Sequence, residues 1–154
     1  MDSQAASSDN NPDRMREGAV RYLGYANECG ESFRPLWPRW AVNATYGVAG
    51  AYVVADAAWR SSMPPPGRTG LVEAVDTLLW QGLASVAVPG IVINRVVAVV
   101  GHYGPLQHRA WLPTAVGLAS IPFIIRPIDH LIDVLMDGYV RPMYAKSGRQ
   151  SKAA

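Results

Sequence analysis

Asp129, Asp133 and Asp137 recur at intervals of four, with His130 beside the first. On a helix that spacing sets three carboxylates in one stripe, each a turn from the next. Carboxylates and an imidazole are ligand types for a divalent cation, yet no second motif in the chain completes a metal site. The stripe reads more simply as a solvated helix face, with Asp129 favoured beside a helix N-terminus. A second set of charges, Asp56, Asp76, Arg95 and Arg126, stands at the ends of apolar runs. A charge inside a membrane span is costly and marks proton or cation traffic. In such a transporter Asp56 or Asp76 would hold the cation and Arg95 would be its partner. Charges at the ends of runs also have a simpler role: Asp56 reaches Arg60 one turn on, and Arg95 extends to lipid headgroups.

Other chemistry is weakly represented. His102, His108 and His130 lack zinc-protease spacing. Cys29 is the sole cysteine, so no internal disulfide forms, and it reads as a small buried residue. There is no phosphate-binding loop, no GxSxG and no Rossmann glycine pattern. No enzyme, cofactor or metal centre is expected. The net charge of +2 comes without a Lys/Arg cluster, which argues against a nucleic-acid partner.

The elements that carry these residues are read as helices. The chain of 154 residues is one domain by length. Residues 1–11 read as a disordered tail and 146–154 as a polar tail. Asn11-Pro12 is a helix-start signal. Met15, Ala19, Tyr22, Leu23 and Ala26 follow at helical spacing, Glu17 and Arg21 pair at i,i+4, and Gly30 is a plausible stop. This amphipathic helix suits packing on the protein's own core or lying at a membrane surface. Three apolar segments follow, at about 40–59, 71–101 and 110–125. In the first, Gly47, Ala51 and Ala55 form a row of small residues that would let another helix come close. In the second, residues 77–94 carry no charge and make a helix of roughly 27 Å, near the ~30 Å of a bilayer core. Pro89 should kink it by freeing the carbonyl of Ser85. In the third, Arg126 precedes Pro127 and is expected outside the helical region, with a new amphipathic helix starting at Pro127. Residues 61–70 and 102–109 read as loops.

Low charge, 17 % of residues, and tryptophans at segment ends (Trp37, Trp40, Trp59, Trp111) favour a membrane. The near-neutral mean hydropathy of +0.04 favours a soluble bundle, though polar tails and loops dilute it. Lys and Arg do not orient three spans, which leave equal numbers on each side; an even number would bring both positive ends together. The fold class is all-α: a multi-pass membrane helical bundle over 12–145, with an amphipathic helix at each end.

Three stretches together resemble the mitochondrial fission process protein 1 family, also called the 18 kDa mitochondrial protein family. They are RYLGYANECGESFRP at 21–35, VDTLLWQGLASVAVPGIVINRV at 75–96 and TAVGLASIPFIIRPIDHLID at 114–133, with the weaker YGVAGAYVVAD at 46–56 in the right order. The resemblance implies an integral protein of the mitochondrial inner membrane with several helices and no cleaved presequence. The last point agrees with Asp2, Asp9 and Asp13, which precede the first arginine, Arg14; presequences are Arg-rich and acid-poor. It also implies a role in mitochondrial fission and inner-membrane integrity, with no catalytic residues to carry over. Positions that match its motifs are polar: Arg21, Glu28, Glu31, Asp76, Gln81, Asn94, Arg95, Asp129 and Asp133. With Asp56 and Arg126 they read as a network that locks helices together or holds a partner. Gln81 and Arg95 should then face other helices or a partner. Expected partners are inner-membrane lipids and other membrane proteins, including a second copy or a respiratory complex. A structural accessory subunit of the respiratory chain or ATP synthase is the second reading, and a small transporter the third.

Overall fold

The computed structural model describes residues 18–103, 109 and 111–144, with side chains from Tyr22 onward. The expected tails and the first turns of the N-terminal helix lie outside the described residues, as does most of the 102–109 loop. All elements among the described residues are helical, as the absence of strand-like alternation implies. Helix α1 is a 3-10 stretch, Gly18–Tyr25, running into α-helical Ala26–Ser32. Helix α2 is Arg39–Ser62. Helices α3, Gly70–Tyr103, and α4, Trp111–Tyr144, are each long and apolar enough to cross a membrane.

The order is up, down, up, down. Gly24 faces Tyr52 while Gly30 faces Thr45, so α1 and α2 run antiparallel. Asn27 reaches Val86 and Glu31 reaches Asn94, so α1 runs parallel to α3. The α1 and α3 helices form the central pair, with α2 and α4 on its flanks. Thr69 starts α3 by accepting a hydrogen bond from the Val72 N–H at 3.3 Å. Gly67, at φ +86°, makes the left-handed turn that the 61–70 loop needs.

Pro127 acts differently from the sequence expectation, whereas Pro89 sits inside a continuous α3. A π-helical stretch, Gly82–Ala87, precedes it, and the Val88 N–H bonds the carbonyl of Leu83. The wider turn absorbs the missing donor, which is a usual function of a π-bulge. Pro122 and Pro127 both lie inside α4, so Arg126 is helical and no new helix starts at Pro127. The reason is packing. Ile128, Ile132 and Met136 on the far side of Pro127 bury against Ala84, with Ile124 on the near side joining them. Burying each such side chain is worth about 1.5–3 kcal/mol, which together exceeds the roughly 3 kcal/mol of an interior proline. The C-terminal amphipathic segment is therefore the second half of α4, which has its own π-helical stretch at Met136–Val140.

Two smaller expectations, for Gly30 and Cys29, are also corrected, and the small row of α2 is placed on the outside. Gly30 does not stop α1, which continues to Ser32; its lack of a side chain lets α2 approach through Thr45. Gly47, Ala51 and Ala55 are exposed and point away from the bundle, because α2 buries Val42, Ala49, Tyr52, Val53 and Asp56 instead. Cys29 is exposed, since its neighbours Glu28 and Gly30 occupy the inward face.

Charged and amide side chains share the interior with apolar ones, and large apolar side chains cover much of the outside. Glu28 and Asp56 are 0 % exposed and Glu31 and Gln81 each 2 %, whereas Leu71 is 76 % and Phe123 78 % exposed. Acidic residues are almost never fully buried in soluble folds unless paired, and broad apolar exteriors mark contact with protein or lipid.

Gly90 packs under the Tyr46 hydroxyl, while a Cβ at Gly47 meets nothing. Gly90→Leu is expected to lower stability in detergent by about 1–3 kcal/mol through overpacking. Gly47→Leu should be neutral or stabilising by up to about 1 kcal/mol from helix propensity. Thermal unfolding of the two variants checks this.

Candidate functional site

Polar side chains meet between the helices in three layers. The first centres on Glu31, one residue before the end of α1. Tyr46 of α2 donates its hydroxyl to Glu31 Oε1 at 2.9 Å, and Asn94 of α3 donates to Oε2 at 2.9 Å. Arg34 donates through Nε to Oε2 at 2.5 Å and through its other nitrogen to Oε1. This bidentate geometry is the strong form of an arginine–carboxylate pair. The hydrogen bonds that Arg34 donates to Glu31 hold the pKa of its guanidinium above the ordinary value. Gly90 makes room for the Tyr46 ring on its way to Glu31. Three helices thus converge on one carboxylate.

The second layer lies thirteen residues earlier on α3, about 20 Å along the axis. There Gln81 donates its amide to Asp56 of α2, and Arg60 approaches the same oxygen at 3.5 Å. The Asp56–Arg60 contact is the i,i+4 pair that the spacing suggests. Between the two layers, Asn27 donates to the Val86 carbonyl at 3.1 Å, inside the widened turn of α3. Ser32 closes on the carbonyl of Glu28 at 2.8 Å.

The third layer forms one end of the bundle. Arg68 contacts Glu73 at 3.1 Å and Asp76 at 3.7 Å, and Arg60 reaches Glu73 at 3.8 Å. Arg141 of α4 spans to Asp76 at 3.3 Å and to Asp137 at 2.5 Å. Trp80 donates its indole N–H to Asp133 at 2.8 Å. Opposite charges alternate around this end, so the attraction is shared among four segments of chain. At partly exposed positions each pair is worth little alone, and the network matters more than any member.

The named residues fall into three groups. Glu31, Asp56, Asp76, Gln81, Asn94 and Asp133 all bond across helices. Glu28 and Asp129 face a common cavity between α1 and α4. Arg95 and Arg126 are exposed on the outer surface and join no layer. The side chain of Arg21 lies outside the described ones. Arg95, being exposed, meets no other helix among the described residues, so of its two expected surroundings only a partner is left. Val97 and Ile93 take the inward positions on that turn, which rotates Arg95 outward. Nor is Arg95 the partner of Asp76: nineteen residues of one helix, about 28 Å, separate them. The aspartate stripe is not a uniform solvated face, since Asp129 and Asp133 are half-buried and only Asp137 is exposed. Among the described residues no cluster of three metal-ligating side chains occurs.

Sequence reasoning missed Asn27, Tyr46, Glu73, Trp80 and Arg141 as members. Tyr46 and Asn27 had a usable signal, each being a polar group on the inward side of a helix. Arg141 had none, because its partner Asp76 is 65 residues away.

Replacing Glu31 with Leu leaves the donors of Tyr46 and Asn94 without their acceptor. It should cost about 3 kcal/mol or more, whereas Arg95→Gln should stay within about 0.5 kcal/mol. Denaturation of both variants in the same detergent compares them directly.

With this geometry in view, comparison with known proteins gives a consistent result. The family model described as Mitochondrial 18 KDa protein (MTP18) matches residues 12–70 and 68–136. A zebrafish (Danio rerio) protein named mitochondrial fission process protein 1 is 44 % identical over 165 aligned positions, covering 97 % of this chain and 99 % of its own length. The Homo sapiens protein of the same name is 47 % identical, over 92 % of this chain and 93 % of its own. That of Caenorhabditis elegans is 40 % identical, over 86 % and 89 %. No solved structure matches the chain. Matched by the family model from its first helix to its last, and by relatives over nearly its full length, the chain belongs to the Mitochondrial 18 KDa protein family.

Proposed function

We propose that the chain is an integral protein of the mitochondrial inner membrane that acts, without catalysis, in mitochondrial fission and in keeping that membrane intact. The observation that carries the membrane assignment is the placement of carboxylates and amides inside and of leucine, isoleucine and phenylalanine outside. In lipid such an interior is favoured where buried polar groups find partners on neighbouring helices, as Glu31 does on Tyr46 and Asn94 and Asp56 does on Gln81. The two long helices fit a bilayer in their apolar halves. Their other halves, beyond about residue 77 of α3 and 133 of α4, carry the charged end of the bundle into the headgroup and aqueous region. The fission role rests on the relatives' printed names.

The polar layers give this role a physical form. A bundle locked at three heights resists shear between its helices, so it can transmit or resist bending of the membrane as one body. The rigid unit would act by its shape and its lipid- or protein-facing surfaces. A second reading, a structural subunit of the respiratory chain or ATP synthase, draws on the outward row Gly47, Ala51 and Ala55. Those residues would let a partner's membrane helix come close.

Depleting the protein from its own cells should lengthen the mitochondrial network. Re-expressed wild type should restore fragmentation and Glu31→Leu should not. An unchanged network after depletion contradicts the fission role. After mild detergent extraction and native gel fractionation, comigration with a respiratory complex at fixed stoichiometry would support the second reading instead.

A further inference from the structure

Between α1, α2, α3 and α4 lies a cavity of about 250 Å³ that no part of the network explains. Glu28 on its wall is 0 % exposed, and among the described residues neither of its carboxylate oxygens has a hydrogen-bond partner. Gln81 lines the same cavity. Its amide nitrogen is committed to Asp56, which leaves Oε1 buried and also without a partner. Asp129 adds a second carboxylate to the lining, and the rings of Tyr25, Tyr52 and Trp80 complete much of the rest.

An ionised carboxylate buried without a partner is strongly unfavourable. The cavity therefore favours an occupant that is positive and brings hydrogen-bond donors. Its size bears on which. At roughly 30 Å³ per water, 250 Å³ holds about eight waters, far more space than one bare ion fills. Among the described residues no set of three metal-ligating side chains surrounds it. Aromatic rings beside carboxylates instead suit an organic cation, attracted both by charge and by the ring faces. Glu28 and Gln81, both on the cavity wall, offer oxygens without a partner among the described residues as acceptors for the N–H donors of a primary ammonium.

We propose that this cavity binds a primary ammonium group, with Glu28 as its counter-ion and Gln81 as an orienting acceptor. The group can come from the ethanolamine headgroup of a phospholipid or from a free amine. Both present the same –NH₃⁺ chemistry. The assignment is independent of the fission role, since the site's occupancy can be measured on purified protein.

The test is thermal unfolding of the full chain in maltoside detergent with added phosphatidylethanolamine, phosphatidylcholine, ethanolamine or spermidine. A saturating primary amine is expected to raise the wild-type Tm by at least about 3 °C. Phosphatidylcholine, which has no N–H donor, should leave it unchanged. A response to phosphatidylethanolamine alone identifies a lipid headgroup, and a response to ethanolamine or spermidine identifies a soluble amine; either supports the site. Glu28→Gln removes the charge at nearly constant shape and should abolish the response. Ser85→Leu, which adds a larger apolar side chain to the cavity wall on α3 and leaves residue Glu28 unchanged, should abolish it as well and serves if Glu28→Gln does not fold. No shift with any primary amine overturns the proposal. So does an equal shift with phosphatidylcholine, or a response that persists in Glu28→Gln or in Ser85→Leu.

Discussion

One carboxylate fixes the relation of three helices. Glu31 takes hydrogen bonds from Tyr46 on α2, Asn94 on α3 and Arg34 in the loop after α1. In a dry interior these bonds are strong because no water competes for the donors or the acceptor. The alternatives are also costly, since sliding any helix by one residue leaves a buried polar group unpaired. The register of α1 against α2 and α3 follows from this constraint. Gly30 and Gly90, which let Thr45 and Tyr46 come close, are the steric side of the same requirement.

The irregular backbone of α3 follows from the same logic. Pro89 cannot donate, and the π-helical stretch before it redirects the local carbonyls. One of these, Val86, accepts from Asn27 of α1. The defect in one helix thereby becomes an attachment point for its neighbour. Twenty ångströms along, Gln81 and Asp56 repeat the arrangement between α3 and α2, and beyond them the arginines and acids of the third layer close the end of the bundle. Apolar packing at Ala84, Ile128, Ile132 and Met136 holds α4 where the polar contacts are fewest.

Much of this arrangement is legible in residue order where partners are local or where a polar residue interrupts an apolar run. Asp56 and Arg60 are one turn apart, and Gln81 and Asn94 stand out in an uncharged stretch. The helical class follows from period and composition. Other features depend on long-range packing, which spacing does not encode. Pro127 suggests a helix end because the rule concerns one residue's neighbours; α4 continues because side chains on both sides of it bury together against α3. Helix rotation, set by the Tyr46 and Asn94 contacts, turns the small row of α2 and Arg95 outward, which residue type alone does not show. Glu28 belongs to neither group: its burial without a partner among the described residues shows only in three dimensions.

The central claim is that this bundle carries its polar groups inside and its apolar groups against lipid. Site-directed spin labelling in liposomes tests it most directly, in a Cys29→Ser background with labels at Ile91, Phe123 and Asp137. Labels at Ile91 and Phe123, both on the outer surface, should be relaxed by oxygen and shielded from a water-soluble nickel reagent, while a label at Asp137 should show the reverse. Strong nickel relaxation at Ile91 and Phe123 would contradict the account, because it would place those apolar faces in water.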